Sequence, residues 1–170
     1  MNFSDITHNY SEVIHEDTRG NLSIMFEDLQ SEISLKQSFS CANSFRGMHI
    51  QLPPFEQTKF IKVISGRIID CVYVLDATHP EFGKAFQKEL NQTSGFIKIP
   101  NFCAHGFYAI EDTELMYICH GKYSEENEKS ISPPANFNNS NFSNKDKNAT
   151  SLLDMISMFQ EIKWMKDDRN

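Results

Sequence analysis

The strongest constraint on the fold is a succession of short β-type runs between Lys59 and Tyr123, each closed by turn residues. Lys59-Phe60-Ile61-Lys62-Val63-Ile64 leads into Ser65-Gly66-Arg67, and Ile68 to Leu75 follows at once. Two β-branched runs around a Ser-Gly turn predict a hairpin. Phe96–Ile99, His105–Ile110 and Thr113–Tyr123 supply further strands, with Glu111-Asp112 turning between the last two. Short strands with regular turns predict an all-β sandwich or barrel.

The chain divides into three parts. Residues 1–125 hold the β-rich pattern. Residues 126–150 are rich in Asn, Ser and Pro, poor in aliphatics, and read as a connecting segment. Residues 151–170 return to apolar periodicity. Leu152, Leu153, Met155, Ile156, Phe159, Ile162 and Trp164 mark one helical face behind a Thr150 or Ser151 cap, with Asp154 in the first turn. That face needs a cover, either the β-rich part or a second subunit. Another helix is expected over Phe26–Ile33.

Composition narrows the function classes. At 170 residues the chain closes one real core. No apolar run approaches the roughly 18 residues of a membrane span. The start, Met1-Asn2-Phe3-Ser4-Asp5, lacks the basic-then-apolar pattern of a secretory signal, which predicts a cytoplasmic protein. The net charge of −7 argues against a broad nucleic-acid-binding face. Cys41, Cys71, Cys103 and Cys119 have neither metal-finger nor redox spacing and are expected to be free thiols.

Chemistry enters with residues that strands rarely need. In Arg46-Gly47-Met48-His49-Ile50-Gln51, strand alternation sends Gly47, His49 and Gln51 to one face. Lys59 comes ten residues after His49, His105 heads another strand, and Tyr117 lies on the next. Inward polar residues from separate strands converge in the mouth of a small barrel. Taken singly, each reads as readily as a structural residue; the set points to a site. His8, His15, His79 and His120 carry no supporting pattern and read as structural or surface residues.

In order along the chain, several segments resemble the cupin family and, within it, the dTDP-4-dehydrorhamnose 3,5-epimerase family. Asp17-Thr18-Arg19-Gly20 resembles its D-x-R-G, and Arg46 to Gln51 its R-G-hydrophobe-H-x-Q. Pro53 to Lys59 resembles P-x-x-Q-x-K, and Gly66 to Asp70 the G-x-hydrophobe-x-D hairpin. His79-Pro80-Glu81-Phe82-Gly83 is similar to the S-P-T-F-G loop, Ile99 to Phe107 to I-P-x-x-x-A-H-G-F, and Asn144-Lys145-Asp146 to the late S-x-K-D. Tyr117 and Tyr123 keep the family's spacing after His105.

The resemblance implies a cupin jelly-roll barrel carrying a C-terminal amphipathic helix. It implies a homodimer that exchanges N-terminal strands, and a role in deoxysugar synthesis for a surface glycan. The implied reaction is 3- and/or 5-epimerisation of a nucleotide-linked 4-keto-6-deoxy sugar, without metal or organic cofactor. Protons alpha to a ketone are acidic, so the reaction needs a base, a donor for the enolate oxygen and an acid on the opposite face. The resemblance assigns these to His49 (with Asp146 as its dyad partner), Lys59 and Tyr117. It assigns Arg19 and Arg46 to the diphosphate, and Gln37, Gln51, His105 and Tyr123 to substrate binding. Asn21-Leu22 and Ile24 depart from the family's aromatic and Glu positions, which leaves the nucleotide open. Two other readings remain at this stage. One is a metal-dependent cupin oxygenase or isomerase, disfavoured because glutamine replaces the second histidine in His49-Ile50-Gln51. The other is a non-catalytic sugar-nucleotide binding cupin, which would not need the His–Lys–Tyr set.

Overall fold

The computed structural model describes residues 12–138 and 140–164. Its strands are β1 (Val13–Asp17), β2 (Gly20–Asp28), β3 (Ile33–Ser40), β4 (Phe45–Gln51), β5 (Thr58–Ser65) and β6 (Arg67–Val74), followed by β7 (Ala85–Asn91), β8 (Ile97–Ile99), β9 (Cys103–Ala109), β10 (Thr113–His120) and β11 (Glu128–Ser130). Two helices end the described chain, α1 (Asn144–Lys147) and α2 (Leu152–Glu161). One sheet runs β1-β2-β3-β10-β5-β8 and the other β11-β4-β9-β6-β7, with every strand pairing antiparallel.

Strand alternation explains how the two sheets meet. Ile61, Val63 and Leu115 of the first sheet pack on Ile68, Leu90, Phe107 and Ala109 of the second. The second sheet is also apolar on its outer face, where Phe45, Met48, Ile50, Cys71 and Tyr73 are buried. Ile131, Phe137 and Phe159 cover that face. The apolar side of α2 is therefore spent on its own barrel. Ser151 caps the helix by accepting the Asp154 N–H, as expected.

Three expectations are corrected. The runs around Ser65-Gly66 form no hairpin: β5 pairs with β10 and β8, whereas β6 pairs with β9 and β7. Gly66 turns the chain from one sheet to the other with φ +81°, where a Cβ would lie 2.4 Å from the Asp112 carbonyl oxygen. Phe26–Ile33 is not a helix. Phe26, Glu27 and Asp28 pair with Leu35, Ser34 and Ile33, and Asp28 closes the turn by accepting from Gln30 N–H and Ser31 Oγ. The third correction concerns α2, which stops at Glu161, while Leu153 stands 82% exposed, away from the packed face. Trp164 reaches the barrel beyond the helix, donating its Nε1–H to the Leu75 carbonyl. The rest of the expected helix, residues 165–170, lies outside the described residues.

Residues 126–150 are built into the barrel. β11 adds an edge strand beside β4, and the chain then bridges Ser44 to Asn141 and Ile131 to Thr150. All four cysteines are free, with Cys41 exposed and the others buried. Among the described residues, no helix is long and apolar enough to cross a membrane.

Candidate active site

A cavity of about 570 Å³ opens at one end of the barrel. Arg19, Arg46, His49, Lys59, His105 and Tyr117 all line it, and Tyr123 stands at its wall. These residues come from four strands and two loops. The inward face of β10 carries Leu115, Tyr117 and Cys119 in alternation, and that of β5 carries Lys59 and Ile61 opposite Cys119 and Tyr117. The apolar members close the barrel's interior and the polar members begin where it opens.

His49 and His105 face each other across the β4–β9 pair. Each imidazole has its own carboxylate. His49 Nε2 lies 2.6 Å from Asp146 Oδ1, and His105 Nε2 lies 2.6 Å from Asp70 Oδ1. An ionised partner keeps the proton on Nε2 and leaves the lone pair on Nδ1. Asp146 comes from α1, 97 residues beyond His49. Ser143 caps that short helix by accepting the Asp146 N–H, which fixes the carboxylate's backbone. Burial works to raise the Asp146 carboxyl, but the His49 hydrogen bond and the charges of His49 and Arg19 hold it below its ordinary value.

The cations differ in their partners. Arg19 Nη1 lies 2.6 Å from Asp146 Oδ2, and its Nη2 lies 2.6 Å from Asp17 Oδ2. Arg46 donates to neutral oxygens, Ser40 Oγ and the carbonyls of Asn21 and Phe39. Burial lowers the Lys59 ammonium below its ordinary value, with Cys119 and Glu128 pulling the other way. Burial also pushes the Tyr117 phenol up to about 12, although Ser38 Oγ sits 3.0 Å from its oxygen. Tyr117 therefore keeps its proton throughout the neutral range. Tyr123 is half exposed, its ring 5.5 Å from Lys36 Nζ and its hydroxyl 3.4 Å from Glu128.

Two expected binding residues lie elsewhere. Lys36 and Ser38 take the inward positions of β3, so Gln37 between them points to the opposite face. Gln51 is buried away from the cavity, its Oε1 accepting the Ser124 N–H. The His49-x-Gln51 pair thus does not converge. Among the described residues, no three His, Cys, Asp or Glu side chains are grouped to hold a metal. Sequence reasoning gave no role to Asp70, Lys36, Ser38 or Glu128. Asp70 had a signal, a lone carboxylate within an apolar strand; Glu128, in an acidic run, had none.

Comparison with known proteins gives a consistent picture. Residues 7–154 match the family model described as dTDP-4-dehydrorhamnose 3,5-epimerase. Curated relatives bear that name, among them two from Mycobacterium tuberculosis and Sinorhizobium fredii. The Mycobacterium tuberculosis protein is 32% identical over 133 residues, covering 69% of this chain and 64% of its own. The Sinorhizobium fredii protein is 30% identical over 128 residues, covering 69% of this chain and 66% of its own. The chain thus spans about two thirds of the length of these relatives. A crystal structure of the Sulfolobus tokodaii enzyme of the same name superposes with TM-score 0.65 at 28% identity, covering 91% of this chain and 99% of that one.

Proposed function

The chain belongs to the dTDP-4-dehydrorhamnose 3,5-epimerase family, and on that premise we propose that it epimerises a nucleotide-linked 4-keto-6-deoxy sugar at C3, C5 or both. The observation that carries the proposal is the half-open His49 imidazole, seated on Asp146 in one cavity with Lys59 and Tyr117.

In this reading neutral His49 takes the proton alpha to the ketone, and Asp146 stabilises the imidazolium that forms. The electron pair left on carbon moves onto the ketone oxygen. The Lys59 ammonium, buried and positively charged, donates a hydrogen bond to that developing oxyanion. Tyr117 returns a proton to carbon from the opposite face, and its phenolate is then reprotonated from solvent or the released imidazolium proton. Arg46 offers its guanidinium to the diphosphate, since its protein partners are all neutral.

We place the enzyme in the cytoplasm as a homodimer. Its free thiols suit a reducing compartment. β1 forms a sheet edge in this chain, with Val13 49% and Ile14 55% exposed, the kind of edge that pairs with another chain.

Solvent-deuterium incorporation tests the activity. The wild-type protein in D₂O should label C3 or C5 of a thymidine-diphosphate-linked 4-keto-6-deoxy sugar, as followed by NMR. Binding without labelling, for thymidine, uridine, cytidine and guanosine diphosphate sugars alike, would instead favour a non-catalytic binding protein.

A further inference from the structure

Lys36 stands on the inward face of β3, half-buried, and lines the cavity. Across the sheet it pairs with Ile24 on β2 and Tyr117 on β10, so it shares a row with the phenol. Other lysines of the chain are held by carboxylates: Lys84 by Glu81, Lys122 by Glu32 and Lys145 by Glu128. Lys36 has no such partner among the described residues. Its ammonium lies 5.5 Å from the centre of the Tyr123 ring. A cation–π contact of this kind is worth about 0.5–1 kcal/mol and leaves all three N–H donors without an acceptor. The neighbours do not supply one. Leu22 and Ile24 offer hydrocarbon, and Ser38 is engaged by the Tyr117 hydroxyl. Glu128 is taken by Lys145 and the Tyr123 hydroxyl, while Glu27 and Glu125 are exposed. Lys36 also repels Lys59, its charge being one of the influences that lower the Lys59 ammonium. An anion in the cavity is attracted to both and relieves that repulsion.

We propose that Lys36 is a substrate ligand, donating from the β3 wall to a phosphoryl oxygen of the substrate's diphosphate, with the Tyr123 ring steadying its stem and head. The proposal rests on the nucleotide-sugar reading for the identity of the anion. Arg46 enters from β4 and is tied to Ser40 at 2.7 Å, whereas Lys36 starts four residues earlier on β3. At roughly 3.3 Å per residue those two anchor points are about 13 Å apart along the strand. The two cations therefore approach the cavity from separate points, which suits an elongated, multiply charged group better than a single phosphate. A lysine fits this task, because its ammonium is a compact charge on a flexible stem and can follow the diphosphate as it enters and leaves. Such a contact is made alike in the bound substrate and in the transition state, so its loss belongs in KM and not in kcat.

Calorimetric binding of inorganic pyrophosphate and of thymidine diphosphate tests the assignment in wild type, Lys36→Met, Lys36→Arg and, as a surface control, Lys84→Met. Wild type should bind pyrophosphate. Lys36→Met should lose about tenfold in affinity, by the same factor for both probes. Lys36→Arg should stay within about threefold of wild type and Lys84→Met within about twofold. In turnover, Lys36→Met should raise KM about tenfold and leave kcat within about threefold. If Lys36→Met does not fold, Lys36→Gln carries the test with the same expected loss. Pyrophosphate affinity within about threefold of wild type in the folded variant overturns the proposal. Lys36 is then a clip for the Tyr123 ring if thymidine diphosphate also binds as before, or a ligand of the nucleoside if that probe alone weakens. Wild-type protein that does not bind pyrophosphate overturns it as well. Binding needs no turnover, so wild-type protein that holds pyrophosphate but fails to label its sugar speaks against the epimerase reading alone.

Discussion

The molecule contains two imidazole–carboxylate pairs of equal length and different construction. His105 and Asp70 sit on adjacent strands, β9 and β6, with side chains only 5% and 8% exposed. His49 and Asp146 join a strand to a capped helical turn far along the chain, and the His49 side chain is 25% exposed. The first pair is complete within the sheet, and although His105 lines the cavity, both of its side chains are nearly buried. The second reaches the cavity and carries a third member, Arg19, behind its carboxylate. Equal hydrogen-bond geometry thus does not mark a reacting histidine. In the proposed reading the difference lies in exposure: the His49 side chain is 25% exposed and that of His105 only 5%.

Substitutions can break this contrast. His49→Asn should have the largest effect, lowering deuterium labelling by about 10²–10⁴-fold, the usual worth of a general base. Asp146→Asn should lower it by roughly 10²-fold, because the amide no longer stabilises the imidazolium or selects its tautomer. Asp70→Asn should act chiefly on stability, costing about 1–3 kcal/mol by chemical denaturation, since it weakens a buried charge-assisted bond. A smaller effect appears in acid. The Asp146 carboxyl is held below its ordinary 3.8 in the folded chain, so its stabilisation is present above that value and is lost as pH falls through the lowered one. Asp17 and Glu128 are lowered as well. Asp146→Asn should therefore reduce the loss of stability with acid without abolishing it, as measured by urea midpoints between pH 5 and pH 3.

Much of the barrel and part of the site were legible in the sequence. Period-two patterning placed β5, β6, β9 and β10, because each must bury one face. It did not reveal that Gly66 separates two sheets, since a corner and a hairpin turn share the same Ser-Gly signal. The helix expected over Phe26–Ile33 did not form, because pairing of Phe26, Glu27 and Asp28 with β3 decides for a strand and a turn. The His49–Lys59–Tyr117 set came from motifs on inward strand positions. Asp146 followed from the late motif, though its approach to His49 depends on how Ile131, Phe137 and Phe142 pack on the outer face of the second sheet. Gln37 does not line the cavity, because the inward positions of β3 are Lys36 and Ser38 and the resemblance does not fix strand phase. The Arg19 contacts were not readable at all, because a lone arginine gives no hint of which carboxylates will surround it.

The central claim is that His49, and not His105, removes the sugar proton. It is tested most directly by setting His49→Asn and His105→Asn beside wild type in D₂O. Initial rates of deuterium incorporation into the nucleotide-linked 4-keto sugar are read by NMR, with folding checked by circular dichroism. The account predicts loss of about 10²-fold or more in His49→Asn and a loss of no more than about tenfold in folded His105→Asn. Wild-type labelling in His49→Asn, or a deeper loss in folded His105→Asn, would contradict it.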